Sequence, residues 1–361
     1  MLLSEIIKKK IKEEGPISFR DFMEMALYYP EVGYYLSAPD KIGTGGDYYT
    51  SSNVTPGFGA MIARQLEEMW HHLGKKEFTI VEYGAGTGTL SHDILTCLKG
   101  NPPLFEALNY CIIEKSPVMR EKEKRHLHEK VRWHDSIQNI PGIVGCIFSN
   151  EVVDNFSVYQ VVMDDELMEV FVDYENDFVE VLRPASPALK DYLGELQISL
   201  PRGFRTEINL DAITWIKEIA AALKRGYVIT IDYGFSSSEL YDERRRNGTL
   251  TCYHKHKLTE SPYRHIGEQD ITAHVNFSAL QHWGLKNGLD YCGFTDQAHF
   301  LLALGFDEYL LNSATQEQDM IAYYRKRMQL IQTLLMDMGT KFKVLIQQKG
   351  IPQYNLWGLR L

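Results

Sequence analysis

The stretch Thr79-Ile-Val-Glu-Tyr-Gly-Ala-Gly-Thr-Gly-Thr-Leu90 constrains this chain more than any other. An apolar run, Phe78 to Val81, ends in an acid, Glu82, and three glycines follow at alternate positions, Gly84, Gly86 and Gly88. A helix-like segment, Leu90 to Leu98, comes next. Strand, tight glycine turn and helix in that order open a nucleotide- or nucleoside-binding α/β unit. Glycine lets the backbone turn sharply and lets a ligand approach the main chain, which a Cβ would block.

The spacing narrows the ligand. A dinucleotide fingerprint, G-x-G-x-x-G, would place its last glycine at position 89, where this chain has Thr89. The P-loop pattern fails as well, because no Lys-Ser/Thr pair follows. E-x-G-x-G-x-G resembles the first motif of class I S-adenosylmethionine-dependent methyltransferases. Such a ligand has an amino-acid end, a sulfonium and an adenosine, and no pyrophosphate to cradle. A carboxylate at Glu82 can favour its cationic part. By itself the motif also suits a glycine turn in another α/β protein.

The whole chain sets further bounds. Its 361 residues can build a large core. A net charge of −10 argues against a dedicated nucleic-acid binder, whose affinity rests on basic surface. Five cysteines, Cys97, Cys111, Cys146, Cys252 and Cys292, lie far apart with no C-x-x-C pair, so no metal site is expected. The amino terminus carries early charges and lacks a signal-type apolar core, and no apolar run could insert in a membrane. The expectation is a cytoplasmic bacterial protein, or one of the mitochondrial matrix if the source is eukaryotic.

Strands alternating with helices predict an α/β fold around a mostly parallel twisted sheet. After the strand that opens the glycine motif, buried strands are expected at Tyr110–Glu114, Val131–His134, Ile143–Ser149 and Tyr227–Asp232. Ahead of them, residues 2–14 and Phe19–Tyr28 read as helices, the second capped by Ser18, and a helix spans about Phe58–Leu73. Residues 31–57, rich in Gly, Tyr, Ser and Thr, read as a long loop. This gives an N-terminal helical extension over 1–75 and a core over 76–361 with insertions at about 159–208 and 234–276. The first insertion alternates like a three-stranded meander, and the second reads as loop. Asn209–Leu223, about Phe277–Asn287 and Met320–Met338 read as helices, and Phe342–Gln347 as a last strand.

Ligands of parallel α/β sheets bind beyond the carboxyl ends of the strands. The residues there are Glu82, Glu114, Asp135, Ser136, Asn150, Glu151 and Asp232. Glu114 can accept from both ribose hydroxyls, or it can serve only as a helix-start carboxylate. Asp135 and Ser136 can meet the adenine amino group, or form an ordinary turn. Asn150, Glu151 and Asp154 follow the fourth strand. Two carboxylates three residues apart would share a face of one helical turn and suit a cationic group such as a guanidinium. A capping cluster is the competing reading.

Taken in order, Gly43-Thr-Gly-Gly-Asp-Tyr-Tyr-Thr-Ser51, the glycine motif, Ser149-Asn-Glu-Val-Val-Asp154, Ile231-Asp-Tyr-Gly234, Gly248-Thr-Leu250 and Gly267-Glu-Gln-Asp-Ile-Thr-Ala-His-Val275 resemble the MidA family of class I methyltransferases. The resemblance runs from about Ile17 to the carboxyl terminus. It implies a Rossmann-like methyltransferase fold and S-adenosyl-L-methionine as cofactor, held by Glu82, Gly84, Gly86, Gly88, Glu114, Asp135 and Ser136. It adds Gly46, Asp47, Tyr49 and Thr50 beside the cofactor. Mitochondrial members of the family are regarded as protein arginine methyltransferases acting on a subunit of respiratory complex I. The resemblance therefore implies a protein substrate, with Asn150, Glu151 and Asp154 as catalytic candidates. A small-molecule or lipid methyltransferase, or a non-catalytic assembly factor that binds the cofactor, are the alternatives. The departures fall on the substrate side: Ser52-Asn53 stands where the family has Pro and Glu, and Asn155-Phe156-Ser157 where it has Ala-Leu-Pro. Asn276 and Thr251 stand where the family usually has Asp and Arg.

Overall fold

A computed structural model describes residues 2–37, 54–127, 130–255, 257–259, 261–312 and 320–360. They fall into two compact units. One comprises Tyr49–Val152, Ile216–Tyr233 and Trp283–Leu361, and the other Met1–Tyr48, Val153–Trp215 and Gly234–His282. The N-terminal helices thus share a unit with both predicted insertions, whereas the helix Pro56–His72 belongs to the unit that carries the glycine motif.

Strands are numbered in chain order. The first unit is built on β2 (Phe78–Tyr83), β3 (Leu108–Ile113), β4 (Val131–His134), β5 (Ile143–Asn150), β10 (Leu223–Phe235), β15 (Asp290–Asp296) and β16 (Phe342–Lys349). They lie in the order β15-β16-β10-β5-β2-β3-β4. The five from β10 to β4 pair in parallel, while β16 pairs antiparallel with β10 and with β15. The expected parallel sheet is present and gains an antiparallel edge. β15 escaped the sequence reading because none of its residues is fully buried, so it lacks the apolar run of a core strand.

The strands bury apolar side chains on both faces, as parallel sheets do: Phe78, Ile80 and Val81 in β2, Tyr110 to Ile113 in β3, Cys146 to Phe148 in β5. The helix Pro56–His72 covers the sheet with Phe58, Met61, Ile62, Leu66 and Met69. Its start is set by Thr55, whose hydroxyl accepts from the Gly57 N–H at 3.2 Å, and by Pro56 in the first turn. The helix Thr89–Leu98 adds Leu90, Ile94, Leu95 and Leu98. Each such side chain contributes about 1.5–3 kcal/mol on burial, which fixes the strand ends from which the site projects.

In the other unit, β1 (Ile17–Ser18), β6 (Tyr159–Met163), β7 (Leu167–Tyr174), β8 (Phe178–Pro184) and β9 (Arg205–Ile208) form an antiparallel sheet, and β6-β7-β8 is the expected meander. Its links close tightly, with Asp164 N–H donating to Glu166 O at 3.0 Å and Glu175 N–H to Asp177 O at 3.1 Å. The helix Leu3–Glu14 buries Leu3, Ile7 and Ile11. Ser18 caps the helix Phe19–Tyr28 by accepting from the Asp21 N–H at 3.1 Å.

Three readings need correction. The segment 234–276, expected as loop, contains β11 (Thr251–His254), β12 (Lys257–Thr259), β13 (Asp270–Thr272) and β14 (Val275–Asn276), and β12-β11-β13 forms a small antiparallel sheet. Strands of two to four residues are too short for alternation to register. The last helix ends at Leu330 and continues as a π-helical turn, Ile331–Asp337. The third correction, at Glu151, belongs to the site. Among the described residues no helix is long and apolar enough to cross a membrane.

Candidate active site

The glycine turn sits at the carboxyl end of β2. Gly84, Gly86 and Gly88 have φ of 62°, 60° and 79°, the left-handed region that side chains with a Cβ avoid. Gly84 N–H donates to Ile113 O at 3.0 Å, which ties the turn to the end of β3. A Cβ on Gly84 would lie 3.1 Å from Val152 Cγ2. Gly88 opens the helix Thr89–Leu98, and no side chain among the described residues caps that helix. Its first N–H groups are thus available for an anionic group.

Glu82 lies beneath this turn and does not face outward. It is buried, and its Oε2 accepts from Ser91 Oγ at 2.5 Å and Tyr110 Oη at 2.7 Å. Burial pushes its carboxyl up to about 7, against the pull of those two hydroxyls. The carboxylate therefore ties β2, β3 and the following helix together. Tyr110 lies 28 positions away in sequence, so no local pattern could announce the pairing.

Glu114 ends β3 half-buried, and its Oε1 accepts from the Ser116 N–H at 2.6 Å. Burial raises its pKa, opposed by that hydrogen bond and by Arg120. Arg120 reaches back to Glu114 O with Nε at 2.7 Å and pairs with Asp135. Asp135 is exposed, and Ser136 Oγ accepts from the Gln138 N–H at 3.2 Å, capping a short 3₁₀ turn, Ile137–Asn139. The structure thus keeps Glu82, Gly84, Gly86, Gly88 and Glu114 close along the ends of two paired strands, with Asp135 and Ser136 after the next strand.

The carboxyl ends of β4 and β5 hold polar atoms with no hydrogen-bond partner among the described residues: His134 Nε2, Ser149 Oγ and Asn150 Oδ1. The sequence reading stopped one residue beyond His134 and one beyond Ser149. Burial, helped by Arg132 and Arg120, lowers the His134 pKa. Asn150 Nδ2 donates to Glu151 Oε1 at 3.2 Å. Glu151 takes φ of 57°, and its N–H donates to Ile231 O at 3.0 Å. Val152 N–H donates to Asp232 Oδ2 at 3.1 Å, and Asp232 Oδ1 takes the Tyr233 N–H at 2.8 Å. Asp232, named from the sequence only by its place after a strand, proves to be the buried anchor that presses Val152 toward Gly84.

Glu151 and Asp154 do not share a helical turn, which corrects the expected paired face. The left-handed Glu151 breaks the chain direction, and only Val153–Asn155 form a 3₁₀ turn. Asp154 belongs to the other unit, where it is buried and its carbonyl accepts from the Ala273 N–H at 3.0 Å. In that unit His274 packs on Phe235 with ring centroids 5.2 Å apart, and burial with Arg245 nearby pushes its pKa down to about 4. Gly46, Asp47, Tyr49 and Thr50 lie outside the described residues.

These features fit S-adenosylmethionine. The glycine turn takes three left-handed backbone positions that side chains with a Cβ avoid, the helix start offers N–H groups to a carboxylate, and Glu114 offers an acceptor at the end of β3. The unpartnered atoms at the ends of β4 and β5 can meet a polar ligand, since buried polar groups are normally bonded.

Residues 61–295 match the model of a family described as S-adenosyl-L-methionine-dependent methyltransferases. The chain belongs to this family. It is an S-adenosylmethionine-dependent methyltransferase of the MidA type, as the sequence motifs implied. It resembles a COG1565 superfamily member from Burkholderia thailandensis, described as a methyl transferase and solved with S-adenosyl-homocysteine bound. The TM-score is 0.89 at 31% identity, covering 99% of this chain and 94% of that one. A native structure from the same organism gives a TM-score of 0.86 at 30% identity, covering 99% and 93%. Among curated proteins, the "Protein arginine methyltransferase NDUFAF7 homolog, mitochondrial" of Drosophila melanogaster is 25% identical over 97% of this chain and 85% of its own length. The human "Protein arginine methyltransferase NDUFAF7, mitochondrial" is 27% identical over 82% and 72%.

Proposed function

We propose that this methyltransferase modifies a guanidinium nitrogen of arginine in a protein acceptor. The observation that carries the reading is the seating of Asn150-Glu151-Val152 against the glycine turn, with Val152 Cγ2 3.1 Å from the Cβ position of Gly84. That contact brings a partly exposed carboxylate, Glu151, next to the cofactor cradle. A carboxylate is the natural partner of a guanidinium, whose planar fork it accepts bidentately. The curated relatives, named as protein arginine methyltransferases, support the same acceptor.

When bound, the cofactor supplies an electrophilic methyl on a sulfonium. Gly84, Gly86 and Gly88 hold the backbone open to it, and Glu114 receives its ribose. The family resemblance adds Gly46, Asp47, Tyr49 and Thr50 to that pocket, and Asp135 and Ser136 to its adenine end. Glu151 orients the guanidinium and draws its charge toward the nitrogens that do not react. Asn150 Nδ2 steadies the Glu151 carboxylate. Orientation supplies most of the rate, because the leaving group is already activated. The proposal extends to a respiratory complex I subunit as acceptor and to the bacterial cytoplasm as the place of action.

Glu151→Gln tests the role directly. The variant is expected to bind S-adenosylhomocysteine like wild type in calorimetry, yet to transfer labelled methyl into lysate protein at least about 10²-fold more slowly. Unchanged transfer with unchanged cofactor binding would remove Glu151 from the mechanism.

A further inference from the structure

We propose that His254, His265 and Glu268 form a binding site for a divalent transition-metal ion of the zinc type, separate from the cofactor turn. One donor atom from each of the three lies within 4.8 Å of the others. Two imidazoles and one carboxylate are a characteristic zinc set, with a fourth position left to water. A tetrahedral ion with bonds of about 2.0–2.2 Å needs its ligand atoms roughly 3.3–3.6 Å apart, so the group must contract by at most about 1.5 Å. His265 and Glu268 are exposed and His254 is half-buried, so side-chain rotation can supply this.

The backbone prepares the group. His254 ends β11, which pairs antiparallel with β13 through Thr251↔Thr272, Cys252↔Ile271 and Tyr253↔Asp270. That register carries His254 alongside the turn that precedes β13. The turn is closed by Glu268 N–H donating to His265 O at 2.8 Å, which sets His265 and Glu268 three residues apart across it. Gln269 locks the arrangement. It is buried, its amide donates to Ser261 O at 3.0 Å and Arg264 O at 2.6 Å, and its Oε1 accepts from Thr259 at 2.6 Å.

Two further observations point to a ligand. His254 Nδ1 lies 2.9 Å from the Glu268 carbonyl oxygen. A carbonyl can only accept, so Nδ1 carries the proton and Nε2 keeps its lone pair. This is the outer hydrogen bond by which metal-ligating histidines are oriented. In addition, the His254 and His265 rings are stacked, with centroids 4.2 Å apart and planes within 3°, and His265 takes φ of 50°. A non-glycine residue held in the left-handed region is uncommon and collects at functional positions.

The test uses the full chain without a histidine tag, stripped with chelator and titrated with Zn²⁺ by calorimetry and with Co²⁺ by visible absorption. The expected result is one saturable equivalent with a Kd of about 1–10 μM and Co²⁺ bands of a low-coordinate site. His254→Gln and His265→Asn should each weaken binding at least tenfold, and Glu268→Gln less. Asn tolerates the left-handed backbone of position 265, so a folding failure is avoided, and circular dichroism checks both variants. His92→Ala, far along the sequence on the helix Thr89–Leu98, should leave binding unchanged. No saturable equivalent in the wild type, or binding that both histidine variants retain, would overturn the site.

Discussion

At the scale of single residues, Gly84 and Glu82 illustrate two kinds of constraint. Gly84 needs both its left-handed φ and the absence of a Cβ, since Val152 stands 3.1 Å from the place it would occupy. Gly84→Val is expected to weaken S-adenosylhomocysteine binding at least about tenfold, a cost of about 1.4 kcal/mol, in line with the left-handed strain of one residue. Calorimetry on the folded variant checks it, and wild-type affinity would contradict the cradle. Glu82 was legible as an acid at a strand end, but its inward bonds to Ser91 and Tyr110 were not, because they depend on packing between distant segments. Glu123 was not legible at all. It is buried behind the turn, with its Cα 3.4 Å from where a Gly88 Cβ would be, and its Oε2 accepts from Trp133 Nε1 at 2.6 Å. Burial first, then Glu114, pushes its carboxyl from 4.5 up to about 8. A folded pKa above the unfolded one means the native state holds the proton more tightly. The stability it contributes is thus full below pH 4.5 and lost as pH rises through 8. Glu123→Gln should gain on wild type in urea unfolding between about pH 5 and pH 9, and a gap that stays constant would contradict the burial.

At the scale of elements, periodicity and capping chemistry carried the reading a long way. The helix Phe19–Tyr28 and the strand Val131–His134 stand where the sequence placed them, and the first insertion carries the expected meander. Ser18 caps as expected, and Asn209 caps the helix that follows it by accepting from the Ala212 N–H at 2.8 Å. Ser18→Ala should destabilise by about 1 kcal/mol in urea denaturation, with no effect on cofactor affinity. Several of the misses have a common cause. The helices Pro102–Ala107, Gln297–Ala303 and Phe306–Asn312 span six or seven residues, under two turns, too few for a 3.6-residue period to repeat. The same holds for β11 to β14. The break at Glu151 was invisible for another reason, since nothing in Asn-Glu-Val-Val-Asp separates a helical turn from a left-handed step.

At the scale of the whole molecule, every described cofactor residue lies in the unit built on the strands β15-β16-β10-β5-β2-β3-β4. Binding should therefore stabilise that unit. At a ligand concentration 100 times Kd the gain is about 2.7 kcal/mol, and hydrogen-exchange protection should rise most in 78–90 and 108–120. Protection confined to the meander unit would contradict the assignment. The central claim, transfer to a protein arginine, is tested most directly by incubating the chain with methyl-labelled S-adenosylmethionine and lysate from a strain that lacks it. The account predicts a labelled protein that yields methylarginine on hydrolysis, and weaker labelling with Gly84→Val at limiting cofactor. Label in a lipid or small molecule, or in nothing, would contradict it.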